Sequence, residues 1–91
     1  MKKELELRYV AHVTVLTSTL LERHQTTASS IRELVVELDT RYDGFYALFV
    51  DREVESLRLN AMIYYSDPGE IPISVIDLDH PIRDGATITF W

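Results

Sequence analysis

Residues 30–44 carry a start signal, an apolar stripe and a stop signal in the order that a helix requires. Ser30 and Glu33 match the S-x-x-E capping box, in which the serine hydroxyl accepts a backbone N–H bond and the glutamate reaches back. Helical spacing of apolar residues follows, at Ile31, Leu34, Val35, Leu38 and Tyr42. Asp43 and Gly44 supply the stop. The pattern predicts one helix over residues 31–42.

The segments before this helix favour strands. Apolar residues alternate with Glu6 and Arg8 at the start of residues 5–16, as in a half-buried strand, so we expect the first strand there. Residues 17–19 have the composition of a turn, and residues 20–26 could return as a second strand.

The segments after the helix also favour strands, apart from one. Residues 45–50 are apolar without a clean period, and we expect a loop or short turn that packs under the sheet. Residues 57–64 and 71–76 predict a long hairpin around Pro68 and Gly69. Pro72 cannot donate a ladder hydrogen bond, so the returning strand should lie at a sheet edge or begin after it. Residues 86–91 alternate again and predict a final strand.

The predicted order is therefore strand, strand, helix, strand, strand, strand. One helix packed on one mixed sheet is the economical α+β arrangement for that order. The 91 residues are too few for two independent cores, so we expect a single domain over residues 1–91.

Composition restricts the function. The chain has no cysteine, which excludes a disulfide framework, a thiolate zinc site and a cysteine nucleophile, and it has no apolar run long enough to predict a membrane span. The formal net charge of -6 opposes binding to nucleic acid or to anionic lipid. Residues 31–55 hold seven acidic and three basic residues, so we expect a partner of that region to be basic. Because neither a membrane span nor a signal peptide is readable, we expect the protein to be cytoplasmic.

Three segments resemble the small sulfur-carrier proteins of the MoaD/ThiS family, and MoaD more closely than ThiS. They are Tyr9-Val10-Ala11-His12-Val13 in the first strand, Ser30-Ile31-Arg32-Glu33-Leu34 with Arg41-Tyr42-Asp43-Gly44-Phe45 around the helix, and Leu78-Asp79-His80-Pro81-Ile82-Arg83-Asp84-Gly85 before the last strand. The resemblance implies the ubiquitin-like β-grasp fold, a mixed sheet of four to five strands packed on one main helix. It also implies that the first and last strands are parallel and central.

The family's chemistry lies in a flexible tail that ends in Gly-Gly and is converted to a thiocarboxylate. The sequence has Trp91 at that end, so we expect a protein that docks on partners without carrying sulfur. The alternative is a sulfur carrier, of the type of the small subunit of molybdopterin synthase, or a ubiquitin-like modifier whose Gly-Gly tail lies beyond this sequence. The resemblance implies an activating-type adenylyltransferase or a molybdopterin-synthase large subunit as partner.

No motif indicates catalysis. Asp77, Asp79, His80 and Asp84 form the densest group of potential metal ligands, but aspartates in a turn more often accept backbone hydrogen bonds. His12 and His24 have no companion at metal-binding spacing, and the serines have no nucleophile-elbow pattern. The three glycines do not form a phosphate-binding loop. We therefore expect no enzyme activity, no cofactor and no metal.

The face of the sheet opposite the helix is the candidate binding site. If Leu5, Leu7, Tyr9, Ile63, Ile88 and Phe90 point to the core, alternation sends outward Arg8, Val10, Met62, Tyr64, Thr87, Thr89 and Trp91. Aromatic, methionine and arginine residues are enriched at interface centres, so we predict partner binding by Arg8, Val10, Met62, Tyr64 and Trp91. The partner would be another protein or a second copy of the chain. Alternatively, a register slip or the insertion at residues 64–73 covers these side chains within the monomer.

Overall fold

The computed structural model describes residues 2–91, which contain seven strands and three helices. Numbered in chain order, they are β1 (Lys3–Tyr9), α1 (Val13–Thr17), β2 (Leu21–Thr26), α2 (Ile31–Arg41), α3 (Phe45–Phe49), β3 (Val50–Asp51), β4 (Ser56–Leu57), β5 (Ile63–Ser66), β6 (Ile73–Ser74) and β7 (Thr87–Phe90). Five strands form one sheet in the order β2-β1-β7-β5-β6, while β3 and β4 pair separately. β1 and β7 are parallel neighbours inside the sheet, as the resemblance implied.

The helix α2 begins where the capping box predicted and ends at Arg41, one residue early. The Ser30 hydroxyl accepts a hydrogen bond from the Glu33 N–H at 3.2 Å. The Glu33 carboxylate reaches back to the N–H of Ser29 at 2.9 Å, one residue before the position that a capping box uses. The buried stripe of α2 consists of Ile31, Leu34, Val35 and Leu38. The helix prediction is therefore confirmed.

The first strand is shorter than predicted, because the chain leaves the sheet after Val10. Ala11 has a φ of 56°, a left-handed conformation that turns the chain away from β1. The short helix α1 follows, with Val13 and Thr17 buried one turn apart and Val15 exposed between them. The buried residues of this segment therefore follow a helical period, and the strand predicted over residues 5–16 is wrong beyond Tyr9.

The apolar link after α2 is also helical. Phe45 and Phe49 are both buried at a spacing of four residues, and their rings lie 5.1 Å apart in α3. The prediction of a loop or short turn over residues 45–50 is therefore wrong. In a segment that is apolar almost throughout, the contact between residues i and i+4 favours a helix.

The hairpin after β4 is shorter than predicted. Its turn at Pro68 and Gly69 is present, and β6 begins directly after Pro72 at the sheet edge. Its first arm starts only at Ile63, however, because Leu57 pairs with Val50 in β3 and Leu59 lies fully exposed in a turn. The alternation of residues 57–62 therefore does not continue β5.

The inward face of the sheet matches the prediction. The side chains predicted to point to the core are all buried: Leu5, Leu7, Tyr9, Ile63, Ile88 and Phe90. They form one hydrophobic cluster with α2 and α3. The opposite face of the sheet therefore carries the remaining residues of β1, β5 and β7.

Candidate functional site: the outer face of the sheet

The predicted site residues lie in three adjacent strands or one residue beyond their ends, on the sheet face that turns away from α2. Arg8 in β1 is opposite Thr89 in β7, and Thr89 is opposite Tyr64 in β5. These three residues therefore form one row across the middle of the sheet.

The other three predicted residues meet at the end of the same strands. The Val10 N–H donates to the Phe90 carbonyl at 3.0 Å, and the Trp91 N–H donates to the Met62 carbonyl at 2.9 Å. Trp91 is 40% exposed and Met62 is 43% exposed, while Val10 is half-buried. We call Arg8, Val10, Met62, Tyr64 and Trp91 the outer patch.

Packing on the inner face fixes the orientation of this patch. Tyr9 lies between Arg8 and Val10, and its ring stacks on Phe90 with the centroids 5.9 Å apart. A slip of one residue would bring these aromatic rings to the outside, so the core determines which residues point outward.

The hydroxyl of Tyr9 is fixed by a hydrogen bond to Glu22 in β2. The Glu22 carboxylate accepts hydrogen bonds from the hydroxyl of Tyr9, from the hydroxyl of Tyr42 at 3.0 Å and from the guanidinium of Arg41 at 2.8 Å. Burial and the hydrogen bond to Glu22 raise the pKa of the Tyr9 phenol well above its usual range, and the same causes raise the pKa of Tyr42. Both phenols therefore remain neutral donors at physiological pH.

The polar edge of the outer patch surrounds a shallow depression of about 200 Å³. It is lined by Arg8, Tyr64, Ser66, Glu70, Pro72, Thr87 and Thr89. Arg8 forms an exposed ion pair with Glu6 at 2.7 Å, and the Tyr64 hydroxyl lies 3.3 Å from the Met62 sulfur. The insertion at residues 64–73 contributes one rim of the depression and leaves Met62 and Trp91 partly exposed.

The group of potential metal ligands near the last strand is occupied by contacts within the chain. Asp77 accepts the Asp79 N–H at 2.9 Å, Asp79 pairs with Arg32 at 2.9 Å, and Asp84 accepts the Glu4 N–H at 2.7 Å. Within residues 2–91, no three His, Asp or Glu side chains are grouped so that they could hold a metal ion. Asp84 accepts a backbone hydrogen bond as the sequence suggested, whereas the Asp79 carboxylate binds a guanidinium instead.

A second concave surface was not predicted from the sequence. An apolar groove of about 360 Å³ lies between α1 and α3, lined by His12, Val15, Leu16, Gly44 and Leu48. It was missed because residues 13–16 were predicted as strand and residues 45–50 as loop. The i, i+4 spacing of Phe45 and Phe49 was the available signal.

Comparisons with known proteins give structural matches only. No protein-family model matches the chain, and no curated protein matches it by sequence. The solution structure of the Haloferax volcanii HVO 2177 protein has a TM-score of 0.77 at 14% identity, and the match covers 98% of this chain and 81% of that one.

Two further structures match over nearly their whole length. SAMP1 from Haloferax volcanii has a TM-score of 0.73 at 10% identity, with 97% of this chain and 92% of that chain covered. Molybdopterin converting factor subunit 1 from Pyrococcus furiosus, as its structure is described, has a TM-score of 0.63 at 17% identity, with coverages of 97% and 94%.

None of the helices in residues 2–91 is long and apolar enough to cross a membrane. The strand order, the parallel pairing of β1 with β7 and these structural matches agree with one another. The chain has the MoaD/ThiS-like, ubiquitin-like β-grasp fold.

Proposed function

We propose that this protein acts without catalysis of its own, by docking on a protein partner through the outer patch. One observation supports this most directly: three strands bring Val10, Met62 and Trp91 together at one end of an exposed sheet face. Apolar and aromatic side chains that share an exposed patch are typical of binding surfaces in otherwise polar monomers.

Trp91 is the expected anchor of this interface. An indole that becomes fully buried at the centre of an interface commonly contributes about 2 kcal/mol or more. Arg8 and the depression beside Tyr64 would form the polar rim, where water remains and individual contacts contribute little.

The partner is expected to belong to one of a few classes. The net charge of -6 favours a basic protein. The structural likeness to SAMP1 and to a molybdopterin converting factor subunit favours an activating-type adenylyltransferase or a molybdopterin-synthase large subunit. A second copy of the chain is the remaining class, and the cytoplasm is the expected location for each of them.

The second candidate is a sulfur carrier or a ubiquitin-like modifier, and the same likeness supports it. In that case the outer patch would still contact the activating enzyme, while a glycine tail beyond Trp91 would carry the reactive carboxylate. A reading frame that continues past Trp91 to a glycine pair would favour this candidate, and a stop codon there would favour docking alone.

The test measures binding by isothermal titration calorimetry to an activating-type adenylyltransferase and to a molybdopterin-synthase large subunit, with sedimentation to detect self-association. Met62→Ser with Tyr64→Ser should weaken the observed association roughly tenfold or more. Val36→Ser is the matched control, because Val36 is a half-exposed apolar residue on α2, away from the sheet. An equal loss of affinity in the outer-patch variant and in the Val36→Ser control would refute the proposal. So would the absence of association in both calorimetric titrations and in sedimentation.

A further inference from the structure

A groove separates the edge of the main sheet from the small β3–β4 ribbon. It has a volume of about 340 Å³ and includes Leu57 from β4 and Ser74 from β6 in its lining. The outer patch does not contribute to this groove, so a ligand here would be additional to the docking partner proposed above.

One wall of the groove presents unused backbone groups of β6. The Val75 N–H donates to the Ile63 carbonyl at 2.8 Å, and Ser74 lies opposite Tyr64 in the antiparallel pair. Residues of an antiparallel strand turn their backbone groups alternately toward and away from the partner strand. The N–H and carbonyl of Ser74 therefore point away from β5, at the free edge of the sheet.

The facing wall repeats this arrangement in β4. The Arg58 N–H donates to the Phe49 carbonyl at 2.9 Å, and Leu57 lies opposite Val50. By the same alternation, the N–H and carbonyl of Leu57 point away from β3. Two strand edges with free backbone groups thus line a single groove.

The side chains around the groove indicate what kind of strand would fit. Leu59 is fully exposed and Ile76 is 85% exposed, and both line the groove. The exposed acidic residues Glu55 and Asp77 directly flank the lining segments. The cation of the lining, Arg58, is tied by its Nε to the Ala47 carbonyl at 2.7 Å.

We propose that this groove binds an extended basic peptide segment of another protein, which adds as a strand between β4 and β6. Its backbone would bond to Ser74 and Leu57, which is how strand addition obtains affinity. Its apolar side chains would cover Leu59 and Ile76, and its lysines or arginines would meet Glu55 and Asp77.

The test uses a fluorescein-labelled, N-acetylated peptide of alternating valine and lysine, with fluorescence anisotropy at low salt. Ser74→Pro removes the outward N–H and should weaken binding roughly tenfold, while Ser74→Ala keeps the backbone and should bind as the wild type does. Thermal unfolding of each variant identifies any general loss of folding.

Two further measurements do not depend on proline. Neutralising the rim in Glu55→Gln with Asp77→Asn should weaken binding roughly threefold to tenfold, whereas the control pair Asp43→Asn with Glu4→Gln should not. Amide shifts in ¹⁵N spectra should concentrate at Leu57 and Ser74.

Several results would overturn the inference. They are the absence of binding, equal affinity for a valine–glutamate peptide, or shifts at Arg8 and Tyr64 instead of the groove. If Ser74→Pro proves unfolded, the shift map and the rim variants still decide the question.

Discussion

Replacing Trp91 with serine tests how the outer patch is built. About 60% of Trp91 is covered within the monomer, since the residue is 40% exposed. A tryptophan side chain presents up to ~250 Å² of mostly apolar surface, so ~150 Å² is covered. At about 25 cal/mol per Å², covering this surface stabilises the fold by at most ~4 kcal/mol. Because the unfolded chain already buries part of the same surface, we expect about 2 kcal/mol.

The expected result for Trp91→Ser is a fall in melting temperature of roughly 8–16 °C, measured by differential scanning calorimetry. Trp91→Phe keeps most of the apolar contact and should lose less than half as much. A change of less than about 2 °C for Trp91→Ser would mean that the indole does not pack against the sheet. The arrangement of Val10, Met62 and Trp91 described above would then be wrong.

Three further predictions concern stability. Glu22→Gln should lower the free energy of unfolding in urea by about 1–3 kcal/mol, because the buried phenol of Tyr9, the partly buried phenol of Tyr42 and an arginine share its carboxylate. The control Glu6→Gln, which removes an exposed ion pair, should cost about 0.5 kcal/mol, and equal losses would contradict this. Burial raises the pKa of Tyr65 to about 12 from 10.0, so the neutral phenol stabilises the fold fully below pH 10 and this contribution disappears as pH rises toward 12. In chemical denaturation at several pH values, the free energy of unfolding of Tyr65→Phe should therefore decline less steeply above pH 10 than that of the wild type. Parallel curves would contradict the raised pKa. Gly85→Ala should lower the melting temperature more than Gly44→Ala does. Both glycines have positive φ, but only the methyl group added at residue 85 would meet another side chain, at 3.0 Å. The reverse order would contradict this geometry.

The sequence predicted the parts of this fold that depend on local chemistry. The Ser30 cap, the apolar stripe of α2 and the alternation of β1 and β7 each identify their element without knowledge of the rest. The outward direction of Arg8 and Tyr64 then followed from the alternation of side chains along a strand.

The errors arose where local patterns were ambiguous. Residues 13–16 and 45–49 are almost uniformly apolar, so a short buried helix and a strand give the same pattern. The left-handed Ala11, which ends β1, carries no recognisable turn signal. The groove between β4 and β6 was not predictable, because it depends on how two segments distant from one another pack.

The most direct test of the docking proposal is a map of the bound surface by ¹⁵N spectroscopy. The labelled chain is titrated with the adenylyltransferase or with the synthase large subunit, according to which of them binds. If the chain instead associates with itself, spectra are recorded over a dilution series that spans the dimer–monomer equilibrium. The proposal predicts that the amide shifts concentrate at Arg8, Val10, Met62, Tyr64 and Trp91. Shifts confined to the exposed side of α2, with none in these five residues, would contradict it.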